Sequence, residues 1–310
     1  MEEISCIFCG MRSHHIAITE NGYTGLNCDT CNLIYISPRP RAAEVKQLYR
    51  DEHAVLYADA QFQFDRFKRM VAASTLAKIR KYKKNGSLLE LGPGGGFFLQ
   101  EAHSWGYEPH GIELNPIEAR WINEKLRIPC ENMALNGDSF GGKQFDIIYH
   151  NDVLSHLHDP IGVFNEINRA LKKDGILVFE TGNIADLHEK YYKFFSQFLY
   201  PDHLFFFGEN SLNLLLNRTG FRNIGIVRSS ILLQLILQKF FWRFKDFLKD
   251  KNAADNMRTR NNIDSRIRTL SMKRRLRSLY RYVSYFLVRL GSILPKKGRP
   301  LKLLFFAQKI

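Results

Sequence analysis

At 310 residues, with 45% hydrophobic and 25% charged residues, 21 glycines and 10 prolines, the chain has the composition of a globular protein with a sizeable core. That excludes the collagenous, low-complexity and disulfide-scaffold classes. The formal net charge of +14 is unevenly placed: residues 231–310 hold 20 Lys and Arg against 4 Asp and Glu, whereas residues 1–230 hold 25 against 27. A partner selected by its negative charge is therefore expected to meet the C-terminal quarter.

The start, Met1-Glu2-Glu3, is acidic and leads into no apolar run, so neither a signal peptide nor an Arg-rich transit peptide is expected. Four of the five cysteines then form two pairs, Cys6-x-x-Cys9 and Cys28-x-x-Cys31. Two such knuckles offer four thiolates, the ligand set of a closed tetrahedral zinc site, so residues 1–38 are expected to be a zinc ribbon whose metal is structural. His14 and His15 are surface residues on this reading, and Cys130 is a small buried hydrophobe. Within residues 1–38 the only Lys or Arg is Arg12, which favours a scaffold or substrate-side lid over a nucleic-acid module. Residues 39–84 form a helical linker or cap on this division of the chain.

From residue 85 the chain alternates strand and helix. Ser87-Leu-Leu-Glu-Leu91 meets Gly92-Pro-Gly94-Gly95-Gly96 and then a helix from Phe97. Glycines let a backbone approach a ligand closely, and the following helix start offers free N–H groups. A dinucleotide fingerprint would need glycine at 97, where Phe stands. What remains is an acid, Glu90, two residues before the glycine loop, and a second, Glu113, ending the next strand, where a carboxylate can accept both hydroxyls of a ribose. Phe145 to Tyr149 reads as a buried strand, Pro160 to Leu171 as an amphipathic helix stopped by Lys172-Lys-Asp-Gly175, and Ile176 to Glu180 as a further strand. This rhythm implies parallel strands with helices on both faces and ligands beyond their carboxyl ends.

Between a sixth strand, Arg222 to Val227, and a last one, Leu301 to Gln308, lies a basic insertion of about 70 residues. Ile263, Ile267, Leu270, Leu279, Val283, Phe286, Leu290 and Ile293 recur at helical spacing, so Asn262 to Leu294 reads as one or two amphipathic helices bearing Lys273, Arg274, Arg275, Arg277 and Arg281. Ile231 to Leu248 mixes aliphatic, aromatic and basic residues as interfacial helices do. The longest uncharged apolar stretch, Ser229 to Gln238, is about half the roughly 20 residues that span a bilayer, so contact with a membrane is expected at most to be peripheral. Attachment to a membrane surface, a lid over an anionic substrate and nucleic-acid binding all stay open for this segment, although no KH or RNP pattern accompanies the charge.

Leu88-Leu-Glu-Leu-Gly-Pro-Gly-Gly-Gly96, Gly111-Ile-Glu-Leu114, Asn151-Asp-Val-Leu-Ser-His-Leu-His-Asp-Pro160 and Leu171-Lys-Lys-Asp-Gly-Ile-Leu177 together resemble the class I S-adenosylmethionine-dependent methyltransferases. The likeness extends through Tyr200-Pro-Asp-His-Leu-Phe-Phe-Phe207 and covers roughly residues 75–228. It implies an α/β, Rossmann-like seven-stranded sheet, with residues 85–230 as the cofactor-binding core, 231–300 inserted, and 301–310 as a final antiparallel strand. It also implies that Gly92, Gly94 and Gly96 approach the methionine moiety of S-adenosylmethionine, with Glu90 beside them. Glu113 would hold the ribose, Met133 and Ala134 would flank the adenine, and Asn151 would close the site. Tyr49 and Tyr57 either face the sulfonium or pack the linker helix.

An N-terminal four-cysteine ribbon joined to such a domain resembles, more narrowly, the sugar C-methyltransferases. Their Tyr-x-Glu-His motif is matched by Tyr200-Pro-Asp202-His203, with Asp in place of Glu. The resemblance makes Tyr200, Asp202 and His203 the catalytic candidates, His203 as base and Asp202 orienting it; otherwise His203 is a packing histidine of a loop. His156 and His158 read as structural. Those enzymes carry a further C-terminal α/β domain that has no counterpart in these 310 residues. The expectation is therefore methyl transfer to an anionic sugar nucleotide or glycan- or lipid-linked precursor, by a cytoplasmic protein that sits, if on a membrane, at its inner face. Nucleic acid is the less favoured partner, since His150-Asn-Asp-Val stands where amine-methylating nucleic-acid enzymes carry an Asn-Pro-Pro-Tyr-like run. Two alternatives remain: a membrane-surface O-methyltransferase of a lipid or small metabolite, and an inactive cofactor-binding adaptor.

Overall fold

A computed structural model describes residues 1–44, 65–135, 140–241, 278–294 and 297–310, together with Val55, Ala58 and Phe62. Tyr49, Tyr57 and the part of the basic insertion from 242 to 277 lie outside the described residues. The chain divides into two compact units, one of residues 1–186, 197–227 and 302–310, the other of residues 187–196 and 228–301.

In the first unit, β1 (His15–Glu20), β2 (Tyr23–Asn27) and β3 (Ile34–Ile36) form an antiparallel meander around the cysteines. A short strand from far along the chain, β9 (Phe205–Phe206), joins its edge with Ile34 opposite Phe206 and Tyr35 opposite Phe205. The four-cysteine segment thus shares a sheet with the loop that carries Tyr200 to His203.

The larger sheet is built from β4 (Gly86–Leu91), β5 (Tyr107–Glu113), β6 (Cys130–Asn132), β7 (Phe145–Asn151), β8 (Leu171–Gly182), β10 (Phe221–Ser230) and β11 (Leu301–Lys309). Its order is β10-β11-β8-β7-β4-β5-β6, with β8, β7, β4, β5 and β6 parallel and β11 antiparallel to β8. The seven-stranded Rossmann-like architecture expected from the sequence is therefore present. Helices α1 (Asp65–Ile79), α2 (Phe97–Ser104), α3 (Pro116–Trp121), α4 (Pro160–Ala170) and α5 (Glu209–Arg218) accompany it.

Local chemistry sets the helix starts. Asn115 and Asp159 cap α3 and α4 by accepting from the Ile117 and Gly162 N–H groups, and each cap is followed by proline in the first turn, where its missing donor costs nothing. Leu76, Leu88, Leu99, Ile122, Ile147 and Val178 are essentially fully buried in one core. On the other side Phe179 stacks on Phe305 at 5.1 Å and on the His150 ring at 5.3 Å. Burial, with no hydrogen-bond partner for either ring nitrogen among the described residues, holds His150 neutral, its pKa pushed down to about 3.

One local expectation is refined. Lys172-Lys-Asp-Gly175 does not simply stop a helix: α4 ends at Ala170 and β8 starts at once, Leu171 pairing with Phe145 and Ile176 with Ile147. The four residues bulge out over the single residue Asp146, whose carboxylate takes the Lys172 ammonium at 2.7 Å.

Candidate functional site

The carboxyl ends of β4 and β5 carry the first half of the site. Gly92, Gly94 and Gly96 all lie at positive φ (66°, 53° and 73°). The Gly92 N–H bonds to the Ile112 carbonyl, closing the loop against β5. A Cβ at Gly96 would meet Leu126 at 2.7 Å and Ile122 at 2.8 Å, so that glycine is required by packing beneath the loop as well as by its conformation.

Glu113 is buried at the end of β5, its two carboxylate oxygens accepting from the Gly94 and Asn115 N–H groups, both at 2.9 Å. Met133 follows β6 with its N–H on the Glu113 carbonyl at 3.2 Å, and Ala134 is next, half-buried. Glu90 is buried in β4 and its Oε2 has no hydrogen-bond partner among the described residues. Burial, and then the nearby Glu113 carboxylate, raise Glu90 well above the usual carboxylate range. A third acid escaped the sequence reading. Glu118 on α3 is 4% exposed, its Oε1 also lacks a partner, and burial followed by the charge of Glu113 pushes it up to about 8. Its position on the helix face shared with Ala119 and Ile122 was the available signal, since an acid on an apolar face is rarely placed there by packing alone. Three buried carboxyl groups, two of them with an oxygen that no described group satisfies, form an environment that complements a ligand carrying hydroxyls or positive charge.

The second half lies beyond β7. Asn151 ends that strand and is exposed, paired in register with Glu180, which bonds to Lys302 of β11. In the turn that follows, Val153 packs against Gly92, where a Cβ would lie 3.0 Å from its side chain, so this turn and the glycine loop touch. The same turn holds Ser155, whose carbonyl accepts the Leu204 N–H, and His156. Tyr200, Asp202 and His203 arrive on the facing loop, with a cis peptide at Tyr200–Pro201.

Their geometry differs from the expected pairing. The Asp202 carboxylate bonds to Nδ1 of His156 at 3.2 Å, and the His156 ring meets the His203 ring edge-on at 4.6 Å. Burial pulls the His156 pKa down, but the hydrogen bond and charge of Asp202 outweigh it and leave it raised. His203 moves the other way, to about 4, through burial first and the charge on His156 second, and its Nδ1 is buried without a hydrogen-bond partner among the described residues. The arrangement is a histidine–carboxylate hydrogen bond beside a second imidazole that burial keeps neutral. Tyr200 is 2% exposed, stacks on Phe206 at 5.6 Å and presses its hydroxyl against Gly25 of β2.

The cysteine segment clamps this loop. The Glu20 carboxylate at the end of β1 accepts the Phe198 and Tyr200 N–H groups at 2.7 and 2.8 Å, and the Asn21 amide donates to the Tyr200 carbonyl at 2.7 Å. The two Cys-x-x-Cys turns match each other. Gly10 and Asn32, each four residues after the first cysteine of its pair, lie at positive φ and donate to the Cys6 and Cys28 carbonyls. Cys6 and Cys31 approach to 3.5 Å between sulfurs, as do Cys9 and Cys28, and all are free thiols.

A family model described as a methyltransferase domain matches residues 63–225, more than half of the chain, and the chain belongs to that family. Among curated proteins it is 27% identical over 154 residues to a tRNA U34 carboxymethyltransferase of Aliarcobacter butzleri, covering 47% of this chain and 48% of that one. It is 29% identical over 115 residues to a ubiquinone biosynthesis O-methyltransferase of Haemophilus ducreyi, covering 33% and 49%. The chain thus spans about half the length of the curated relatives it matches. Among solved structures, a 1,6-didemethyltoxoflavin-N1-methyltransferase of Burkholderia thailandensis, with S-adenosylhomocysteine bound, superposes with a TM-score of 0.51. It is 14% identical and covers 95% of this chain and 99% of that one, a likeness of fold.

Proposed function

We propose that the protein transfers a methyl group from S-adenosylmethionine to a sugar nucleotide or to a glycan- or lipid-linked precursor. The observation that carries this reading is the buried carboxylate cluster at the glycine loop, above all the Glu90 Oε2 that no described protein group satisfies. Glu90, Gly92, Gly94 and Gly96 would hold the methionine end, Glu113 the ribose, and Met133 and Ala134 the adenine. When bound, S-adenosylmethionine supplies an electrophilic methyl on a sulfonium. The protein's own contribution is to orient the acceptor and take a proton from its carbon or hydroxyl. His203 suits that task, since its imidazole is neutral at physiological pH and its Nδ1 lone pair is uncommitted. Asp202 serves it indirectly, by keeping a positive charge on His156 at its edge. Tyr200, packed on the cysteine meander, sets where the loop lies.

The thiol cluster suits structural zinc: Cys6, Cys9 and Cys28 lie close enough together to share one ion, and Cys31 approaches Cys6. A tetrahedral site with zinc–sulfur bonds of about 2.3 Å has sulfurs about 3.8 Å apart. The 3.5 Å approaches here are close to that edge and far from the roughly 2.05 Å of a disulfide. The sugar-modifying assignment draws support from this ribbon being paired in one sheet with the loop of Tyr200, Asp202 and His203.

Calorimetry tests the reading. S-adenosylmethionine should bind the wild type with micromolar affinity and bind Glu113→Ala at least about tenfold more weakly, a loss of about 1.4 kcal/mol or more. Zinc measured in the same preparations should approach one per chain. Absence of binding by folded, zinc-loaded protein would overturn the methyl-transfer reading. Given binding, nucleotide sugars, lipid-linked glycans and tRNA offered in parallel reveal the acceptor by S-adenosylhomocysteine release.

A further inference from the structure

The second unit contains a helix that is inside out. Residues 278–290 are helical and run into the single turn Gly291–Ile293. Leu279, Tyr282, Val283, Phe286, Leu290 and Ile293 are all exposed, Leu279 at 61%, Phe286 at 60% and Ile293 at 80%. At about 100° per residue these six positions share an arc of about 100°. The opposite seam faces inward with smaller and more polar groups. Ser284 is 6% exposed and its Oγ has no hydrogen-bond partner among the described residues. Gly291 is buried so closely that a Cβ would strike the Ser230 backbone, and Tyr280 stacks on Phe241 at 4.7 Å. A helix whose outer face met only water would turn the other way, with serine out and the leucine and phenylalanine stripe in.

We propose that this stripe seats on the surface of an anionic phospholipid bilayer. From residue 279 to 293 it extends about 20 Å, the length of a helix lying in the interface, and no described helix is long and apolar enough to cross a membrane. The charge selects the lipid. Exposed Arg289 borders the stripe and exposed Lys297 follows it, while Lys273, Arg274, Arg275 and Arg277 precede the helix in sequence. Residues 231–300 hold 18 Lys and Arg against 4 Asp and Glu, so a second copy of the chain brought to this face would meet a like charge, whereas anionic headgroups neutralise it. Phe240 of the helix at 232–241, 64% exposed and next to exposed Lys239, repeats the same pairing of aromatic and cation in this unit. The assignment is independent of the methyl-transfer reading.

Sedimentation of the full chain with phosphatidylcholine vesicles, alone or containing about 30% phosphatidylglycerol, tests it. Binding to the anionic vesicles is expected to be at least about tenfold tighter, and to weaken in about 0.5 M salt. Leu279→Ser with Phe286→Ser should lower it about tenfold or more. Should that pair disturb folding, as seen in its thermal melt, Arg289→Gln with Lys297→Gln serves instead and should reduce the preference for anionic over neutral vesicles. Failure to bind anionic vesicles, equal binding to neutral ones, or binding unchanged in the variants overturns the proposal. So does a dimer in sedimentation equilibrium that the Ser variants dissolve while the wild type ignores vesicles, because the face would then be a contact between copies.

Discussion

His203 and His156 are neighbours with opposite titration behaviour, and the difference follows from which of them holds the carboxylate. Asp202 bonds to His156 and raises it, while His203, buried and beside a positive ring, falls to about 4. For His203 as the proposed base the sign is then fixed: a base works in its deprotonated form, so it would be competent above about pH 4 and lost only as pH falls through that value. A titration of the imidazole Cε1–H resonances should show His156 above the ordinary 6.5 and His203 near 4. In turnover the same shift predicts kcat/KM nearly flat between pH 7 and 5.5, where an unperturbed imidazole would lose about eightfold. His203→Ala should abolish turnover and leave S-adenosylmethionine binding within about twofold. An acid limb near 6.5 would assign the base to another group. The sequence placed Tyr200, Asp202 and His203 together because they are adjacent in one motif. It could not show that Asp202 turns to His156, 46 residues earlier, because that choice depends on the β7 turn meeting this loop in space.

At the scale of elements, the short strand β9 and the β1–β2 hairpin explain why a cysteine module belongs to a site it does not line. Two backbone N–H groups of the Phe198 to Tyr200 stretch end on one carboxylate, Glu20, at sequence separations of 178 and 180. A carboxylate accepting two N–H groups makes charge-assisted bonds, each stronger than a neutral one. Glu20→Ala should therefore release the loop, lowering kcat about tenfold to a hundredfold while S-adenosylmethionine affinity stays within about threefold, and Glu20→Gln, which keeps only part of the acceptor capacity, should fall between. A change in cofactor affinity as large as the change in kcat would instead make Glu20 a residue of general stability. The alternating strands and helices of the main sheet were legible because buried parallel strands read as short apolar runs and their helices as amphipathic repeats. The glycine loop and Glu113 were legible because their chemistry is local. Glu20 was not: a hairpin glutamate is ordinary in composition, and only the assembled fold shows it clamping a loop; Glu118 offered only its place on an apolar helix face, to which the fold adds an Oε1 without a hydrogen-bond partner among the described residues.

For the molecule as a whole, the proposed metal at the thiol cluster would bear on the loop of Tyr200 to His203 through the four-stranded sheet that joins them. Its strands β1, β2 and β3 are short, its knuckles are held by backbone bonds at Gly10 and Asn32, and its buried side chains, Leu33, Ile34, Tyr35 and Ile36, cluster on and beside β3, the strand that pairs with β9. Small modules of this kind draw their folding free energy from the metal. The glycine loop and the carboxylates, by contrast, stand on β4 and β5 within the large parallel sheet and use no residue of the meander. Stripping zinc with a chelator, or Cys28→Ser with Cys31→Ser, should accordingly uncouple the two halves of the site. S-adenosylmethionine affinity should stay within about threefold, whereas turnover falls by about a hundredfold and proteolysis sets in near residues 1–40 and 197–206. Re-adding zinc to the chelated wild type should restore turnover, and the Ser variant should not respond. Equal loss of cofactor binding and turnover would show that the meander stabilises the large sheet, and unchanged turnover would show that the loop keeps its place without the metal.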